Sequence, residues 1–227
     1  MFREFIRIFE SDDPLSDMSE RFTRMLTLTG EMAVEAGRIY FDGQGGAELR
    51  QHIYDQDIEV NQLEREVRKL IVAHLSIRLR SADIPHCLFL LNLVKDVERL
   101  GDYAKNLAEL IDVGGPPPDD ERAAELRSIR DFVEQTFRET PDVVSRGETE
   151  RAVPLITDGR QVMKRCEALM RSVAKADYPA PTAVSLALGA RYYKRFEGHL
   201  LHILSSVVMP LHKLDFFDED EVPKKQG

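Results

Sequence analysis

The 227-residue chain has no tryptophan, two cysteines and an aromatic content of only 7%. Two cysteines as far apart as Cys87 and Cys166 cannot build a disulfide framework or a CxxC metal site. Both fall in helix-like stretches and are expected as small buried hydrophobes. With no Trp and so few rings, aromatic cages and base-stacking platforms find no support. No apolar run approaches the ~20 residues of a membrane span. The stretch from Met1 to Pro14 alternates charge with apolar residues too often for a secretory signal. These absences lead to the expectation of a soluble, cytoplasmic protein. Basic residues are outnumbered, 31 Lys and Arg against 40 Asp and Glu, for a net charge of −9. That balance argues against nucleic-acid binding, which needs a basic face. Gly43 to Gly46 lacks the Lys-Ser/Thr of a phosphate loop and reads as a turn. No period-two run bounded by turns survives, so no strand is expected.

What the chain has is helical periodicity almost throughout. Met18, Phe22, Met25, Met32, Ala36 and Ile39 form one apolar stripe. After the break at Asp42 to Gly46, a second helix is expected from about Ala47 to Leu79, with Ile53, Val60, Val67, Ile71 and His74 inward. Asp83 can cap a third, with Pro85 in its first turn and Phe89, Leu93, Val97, Leu100, Ala104, Leu107 and Ile111 inward. Gly114 to Pro118 is the clearest break, because three prolines cannot continue a helix. The pattern then restarts. Asp119 or Asp120 caps a helix to about Arg146, Gly147 stops it, another runs from about Thr149 to Ala176, and a last from about Thr182 to Leu214, with Pro210 able to end it early. The expected fold is all-α, two tandem three-helix bundles: residues 1–114, a proline linker at 115–118, residues 119–214, and an acidic tail at 215–227.

Two features carry chemistry. Glu98 and Asp102 stand four apart on one flank of the third helix, with Asn106 continuing the row. Like charges at that spacing repel, and a hard cation such as Mg²⁺, Mn²⁺, Ca²⁺, Zn²⁺ or iron would relieve them. The bland alternative is a solvated flank paired to Lys95, Arg99 or Lys105. Asp57 and Glu64 fall within about 40° of the apolar line of the second helix, counting 100° per residue. Acids in an apolar stripe need a partner, either a basic side chain or a metal. His199 and His202 form a lone i,i+3 pair that could hold a transition metal, with packing or surface roles the favoured reading.

Val97-Glu98-Arg99-Leu100-Gly101-Asp102-Tyr103-Ala104-Lys105-Asn106 resembles the signature of the PhoU family: a hydrophobe, Glu-Arg-Ile-Gly-Asp, an aromatic or His, Ala, any residue and Asn. Asp57 to Glu64 resembles the family's second-helix pattern, and Met1 to Leu15 resembles the opening of some members. The second repeat departs from the signature. Aligning Arg195 with Arg99 puts Lys194 in place of Glu98, Gly198 in place of Asp102, and His202 in place of Asn106.

The resemblance implies a duplicated three-helix fold and a cytoplasmic negative regulator of phosphate uptake and the phosphate-starvation response. Such a protein acts by contact with a phosphate transporter component or a membrane sensor kinase, without chemical turnover and as a homodimer. It also implies a metal site, holding iron, zinc, Mn or Mg in the first repeat on Asp57, Asn61, Glu98, Asp102 and Asn106. A candidate partner surface is the basic outer side of the second helix, Arg65, Arg68, Lys69, Arg78 and Arg80. The rivals are a metal-free helical scaffold and a carboxylate-bridged di-metal enzyme. The latter uses Glu-x-x-His motifs, and no Glu here is followed by His three residues later.

Overall fold

The computed structural model describes residues 14–43, 46–77 and 80–211. The expected acidic tail, the opening Met1 to Asp13, and Arg78 of the basic surface lie outside these residues. Six helices make up the fold: α1 (Pro14–Asp42), α2 (Gly46–Ile77), α3 (Ile84–Gly114), α4 (Glu121–Arg146), α5 (Thr149–Val173) and α6 (Ala180–Val208). No strand occurs among the described residues.

The boundaries follow local chemistry. Asp120 sits in an extended conformation and its carboxylate accepts from the Arg122 and Ala123 amides, capping α4. Gly147 ends α4 at φ 64°, ψ 38°, a left-handed pose that costs glycine little. Met209 is extended, as a residue before proline prefers, so α6 stops before Pro210. Three expectations differ. Asp83 precedes α3 but makes no capping bond, because its carboxylate accepts from His74 Nε2 at 2.9 Å instead. The fifth helix ends at Val173 rather than Ala176. Pro141, which the periodicity reading passes over, lies inside α4, where it removes one backbone donor.

Within each half the three helices pack on one another, α1 with α2 and α3, α4 with α5 and α6. The halves join through α3 on α6 and α1 on α4. The stripes from Met18 to Ile39, from Ile53 to Ile71 and from Leu93 to Leu107 all belong to a single hydrophobic cluster that also takes in α4, α5 and α6. The few aromatic rings gather at the seam between halves. Phe41, Tyr193, Phe196 and Phe137 follow one another at centroid distances of 6.1, 5.8 and 5.5 Å. Each such pair adds about 0.5–1.5 kcal/mol beyond the area it buries. Tyr40 of α1 also reaches α6, its hydroxyl donating to the Ser185 carbonyl at 3.0 Å. Cys87 and Cys166 are free and buried.

Candidate functional site

The acids of the first repeat do come together, around a lysine. Asp57 on α2 is 8% exposed. Its Oδ2 accepts from Lys105 Nζ at 2.7 Å and from Asn61 Nδ2 at 3.1 Å. The same ammonium lies 3.0 Å from Asp102 Oδ1. Burial alone would lower the Lys105 pKa, but the bonds to Asp57 and Asp102 hold it above its ordinary value. Glu98 turns instead to Lys95, at 2.6 Å. Glu64, the other acid in the apolar stripe, pairs with Arg68 at 2.9 Å.

Basic side chains therefore reach both anomalous acids of α2, one of the two partners the sequence allows. The five residues expected to hold a metal divide among different contacts. Asp57, Asn61 and Asp102 converge on or beside Lys105, while Glu98 does not join them. Among the described residues no three His, Cys, Asp or Glu side chains group closely enough to share an ion. Asp57 Oδ1 is buried without a hydrogen-bond partner, yet it faces the Cα of Gly101, where a Cβ would lie 3.3 Å away. The donor set does not fit a resident metal, since the ammonium already stands where the shared cation would.

The second repeat is built differently. Lys194 pairs with Glu167 of α5. Asp96 of α3 receives two imidazoles from α6, His199 Nδ1 at 2.7 Å and His202 Nδ1 at 2.8 Å. Burial pushes the Asp96 pKa up, but the two histidine bonds outweigh it and the net direction is down. The sequence reading assigned this histidine pair no carboxylate. Contacts spanning 103 and 106 residues leave no periodic signal that could have revealed it.

A second missed residue is Glu197, fully buried in α6 with both carboxylate oxygens unpartnered. Desolvation raises its pKa to about 8. It presses on Gly159 of α5, where a Cβ would overlap Glu197 Oε1 and stand 2.7 Å from Leu201 Cδ2. Its sequence signal is an acid among Tyr193, Phe196, Leu200 and Leu201.

On the outside of α2, Arg65, Arg68 and Lys69 are exposed, as is Arg80 beyond it. Arg68 is the one drawn into an ion pair, with Glu64.

A family model for the PhoU domain matches residues 22–111, the part that contains Asp57, Lys105 and the Glu98–Asn106 signature. Residues 22–111, under half of the chain, are thus similar to the PhoU domain. A phosphate-specific transport system accessory protein PhoU homolog from Pseudomonas aeruginosa is 24% identical over 203 residues, 86% of this chain and 82% of the relative. A homolog of the same description from Zymomonas mobilis is 28% identical over 89 residues, and that match spans 37% of the relative's length. Among solved structures, PhoU from P. aeruginosa superposes with a TM-score of 0.78 at 22% identity, covering 88% of this chain and 96% of that one. The phosphate transport system regulatory protein PhoU from Streptococcus pneumoniae gives 0.73 at 15% identity, covering 92% and 97%. The PhoU fold thus extends over both halves of the chain, including the repeat that departs from the signature. Among the described residues no helix is long and apolar enough to cross a membrane.

Proposed function

We propose that this chain is a PhoU-like, cytoplasmic accessory regulator of phosphate uptake and phosphate-starvation signalling. In this reading it works by docking, as a homodimer, on a phosphate transporter component or a membrane sensor kinase. The observation that supports the reading is the match of residues 22–111 to the PhoU domain, with the sequence likeness to the P. aeruginosa accessory-protein homolog over 86% of the chain. A second feature supports docking over turnover: the acids of the signature are engaged in ion pairs with Lys95 and Lys105 rather than held ready as acid and base.

The metal-free form of the adaptor is favoured over the metal-binding form, because Lys105 neutralises Asp57 and Asp102 from within. The docking surface is assigned to the exposed side of α2 and its end, where Arg65, Lys69 and Arg80 stand free of ion pairs among the described residues. A local basic patch on a chain of net charge −9 steers encounter with an acidic partner.

The test is genetic and biochemical together. Deleting the protein in phosphate-replete cells should raise phosphate uptake and switch on a starvation reporter, and the intact chain should reverse both. Arg65→Glu with Lys69→Glu should fail to reverse them while leaving the melting temperature unchanged. Unaltered uptake and reporter in the deletion strain would refute the regulatory reading. Full rescue by the double variant would remove α2 as the docking surface.

A further inference from the structure

Where α3, α5 and α6 meet, a cavity of about 420 Å³ is lined by Asp96, Met163, Arg191, Lys194, Arg195, Gly198, His199 and His202. Its charge is lopsided. Three permanent cations and two imidazoles face it, against one carboxylate, Asp96. That carboxylate is spent, since each oxygen accepts from one histidine. Lys194 shares its charge with Glu167. Arg191 and Arg195 make no ion pair among the described residues; Glu167 lies near enough to feel the Arg191 charge but already serves Lys194 and Arg171, so the cations at this wall outnumber the acids that answer them.

The alignment of the two repeats sharpens this. Lys194, Gly198 and His202 are the counterparts of Glu98, Asp102 and Asn106. Of the two carboxylates in that row of the first repeat, one becomes an ammonium and the other is lost, while Arg191 and Arg195 keep the basic character of Lys95 and Arg99. The exchange of Asp for Gly also removes bulk: a Cβ at Gly198 would meet only Met163 Cε, at 3.7 Å. Asp96 fixes both imidazoles through Nδ1, which sets the ring planes and directs the opposite ring edges away from the carboxylate. Tyr103 stacks on His199 at 5.6 Å between centroids and holds that ring from its face.

We propose that this cavity binds a small dianionic oxyanion, a phosphate group, between the two repeats. Guanidinium forks match phosphate oxygens in pairs, and an ammonium and the His199 imidazole supply donors from other sides. A tetrahedral anion uses donors converging from several directions, which a planar carboxylate does not. The phosphate group can be that of inorganic phosphate or of a small phosphate ester, for which the volume is adequate. The inference goes beyond the adaptor reading and does not depend on it, because the binding belongs to the purified chain alone.

Isothermal titration of the full-length protein at constant ionic strength tests it, with inorganic phosphate, AMP and chloride in separate arms. Saturable binding of phosphate or AMP, absent with chloride, is expected, and the tighter of the two identifies the source. Arg191→Gln with Arg195→Gln should weaken that binding by about tenfold or more, with the unliganded melting temperature unchanged because both side chains line an open wall. Arg65→Gln, on the far patch, should leave binding intact. Absence of saturable binding by either phosphate compound overturns the proposal. So does binding that survives the double substitution, or that Arg65→Gln reduces equally.

Discussion

Replacing Glu197 by glutamine should stabilise the protein, and increasingly so as pH rises. The carboxyl is fully buried and neither oxygen has a partner. Its pKa rises from 4.5 to about 8 on folding. The folded state therefore keeps a proton that the unfolded chain gives up. Ionisation adds no cost below pH 4.5; that cost grows between pH 4.5 and about 8 and levels off once the folded group has itself ionised above that. That difference corresponds to roughly 5 kcal/mol at pH 9. Glutamine has nearly the same shape and no charge to desolvate, but its amide brings a further donor without an acceptor, costing about 1–3 kcal/mol. The net gain at pH 9 is then about 2–4 kcal/mol, or roughly 5–15 °C in melting temperature for a chain of this size. At pH 5 the gain should vanish or change sign. Thermal unfolding followed by circular dichroism at pH 5, 7 and 9 measures it. A difference between Glu197→Gln and the parent that does not change with pH would refute the reasoning, as would a variant less stable at pH 9.

Two further perturbations probe the ion pairs. Lys105→Met leaves Asp57 buried without its cation and should cost about 3 kcal/mol; adding Asp57→Asn should recover most of it, and urea unfolding of the single and double variants measures that coupling. Asp96→Asn should lower stability at pH 7 by about 1–3 kcal/mol through loss of the charged histidine bonds. Because the folded Asp96 pKa lies below its ordinary 3.8, that contribution is present above pH 3.8 and disappears as pH falls through the folded value, so melting curves of variant and parent should converge in acid.

Much of the fold was legible because it rests on local rules. The stripe from Met18 to Ile39 is buried throughout, since a helix of period 3.6 must put those positions on one face. Gly147 and Pro210 end their helices for backbone reasons that no tertiary contact needs to supply. Asp83 failed as a cap because a nearby histidine competed for its carboxylate, and propensity cannot see a competitor on another helix. The acids followed the same division. Asp57 was conspicuous in an apolar stripe, so its need for a partner was readable, whereas the identity of that partner, a lysine 48 residues away, was set by packing. Lys105 is itself part of the signature stretch, at the position that the resembled pattern leaves open. Asp96 had no such mark, because an acid on a half-buried flank is ordinary until the other repeat docks against it.

The duplication explains how one scaffold came to carry a carboxylate row in one repeat and none at the same positions of the other. Tyr103 and His199 are counterparts, 96 positions apart, and they stack on each other. Equivalent residues touch only near an axis that exchanges the repeats, so α3 and α6 cross on a local twofold. Its two sides are not alike. On one, Asp96 binds His199; on the other the same positions are Tyr192 and Tyr103, stacked at 6.2 Å. The buried carboxyls follow suit. In the first repeat Asp57 of α2 rests against Gly101 of α3, and in the second Glu197 of α6, the counterpart of Gly101, rests against Gly159 of α5. Each repeat pairs a carboxyl with a glycine across the same helix interface, with the donor helix exchanged. Only the first of these carboxyls is met by a lysine, which leaves Glu197 as a group through which rising pH destabilises the fold and leaves Lys194, Arg191 and Arg195 lining the cavity. The backbone symmetry is kept while the side chains at the seam divide the work, with a closed ion pair in one repeat and a cationic opening in the other.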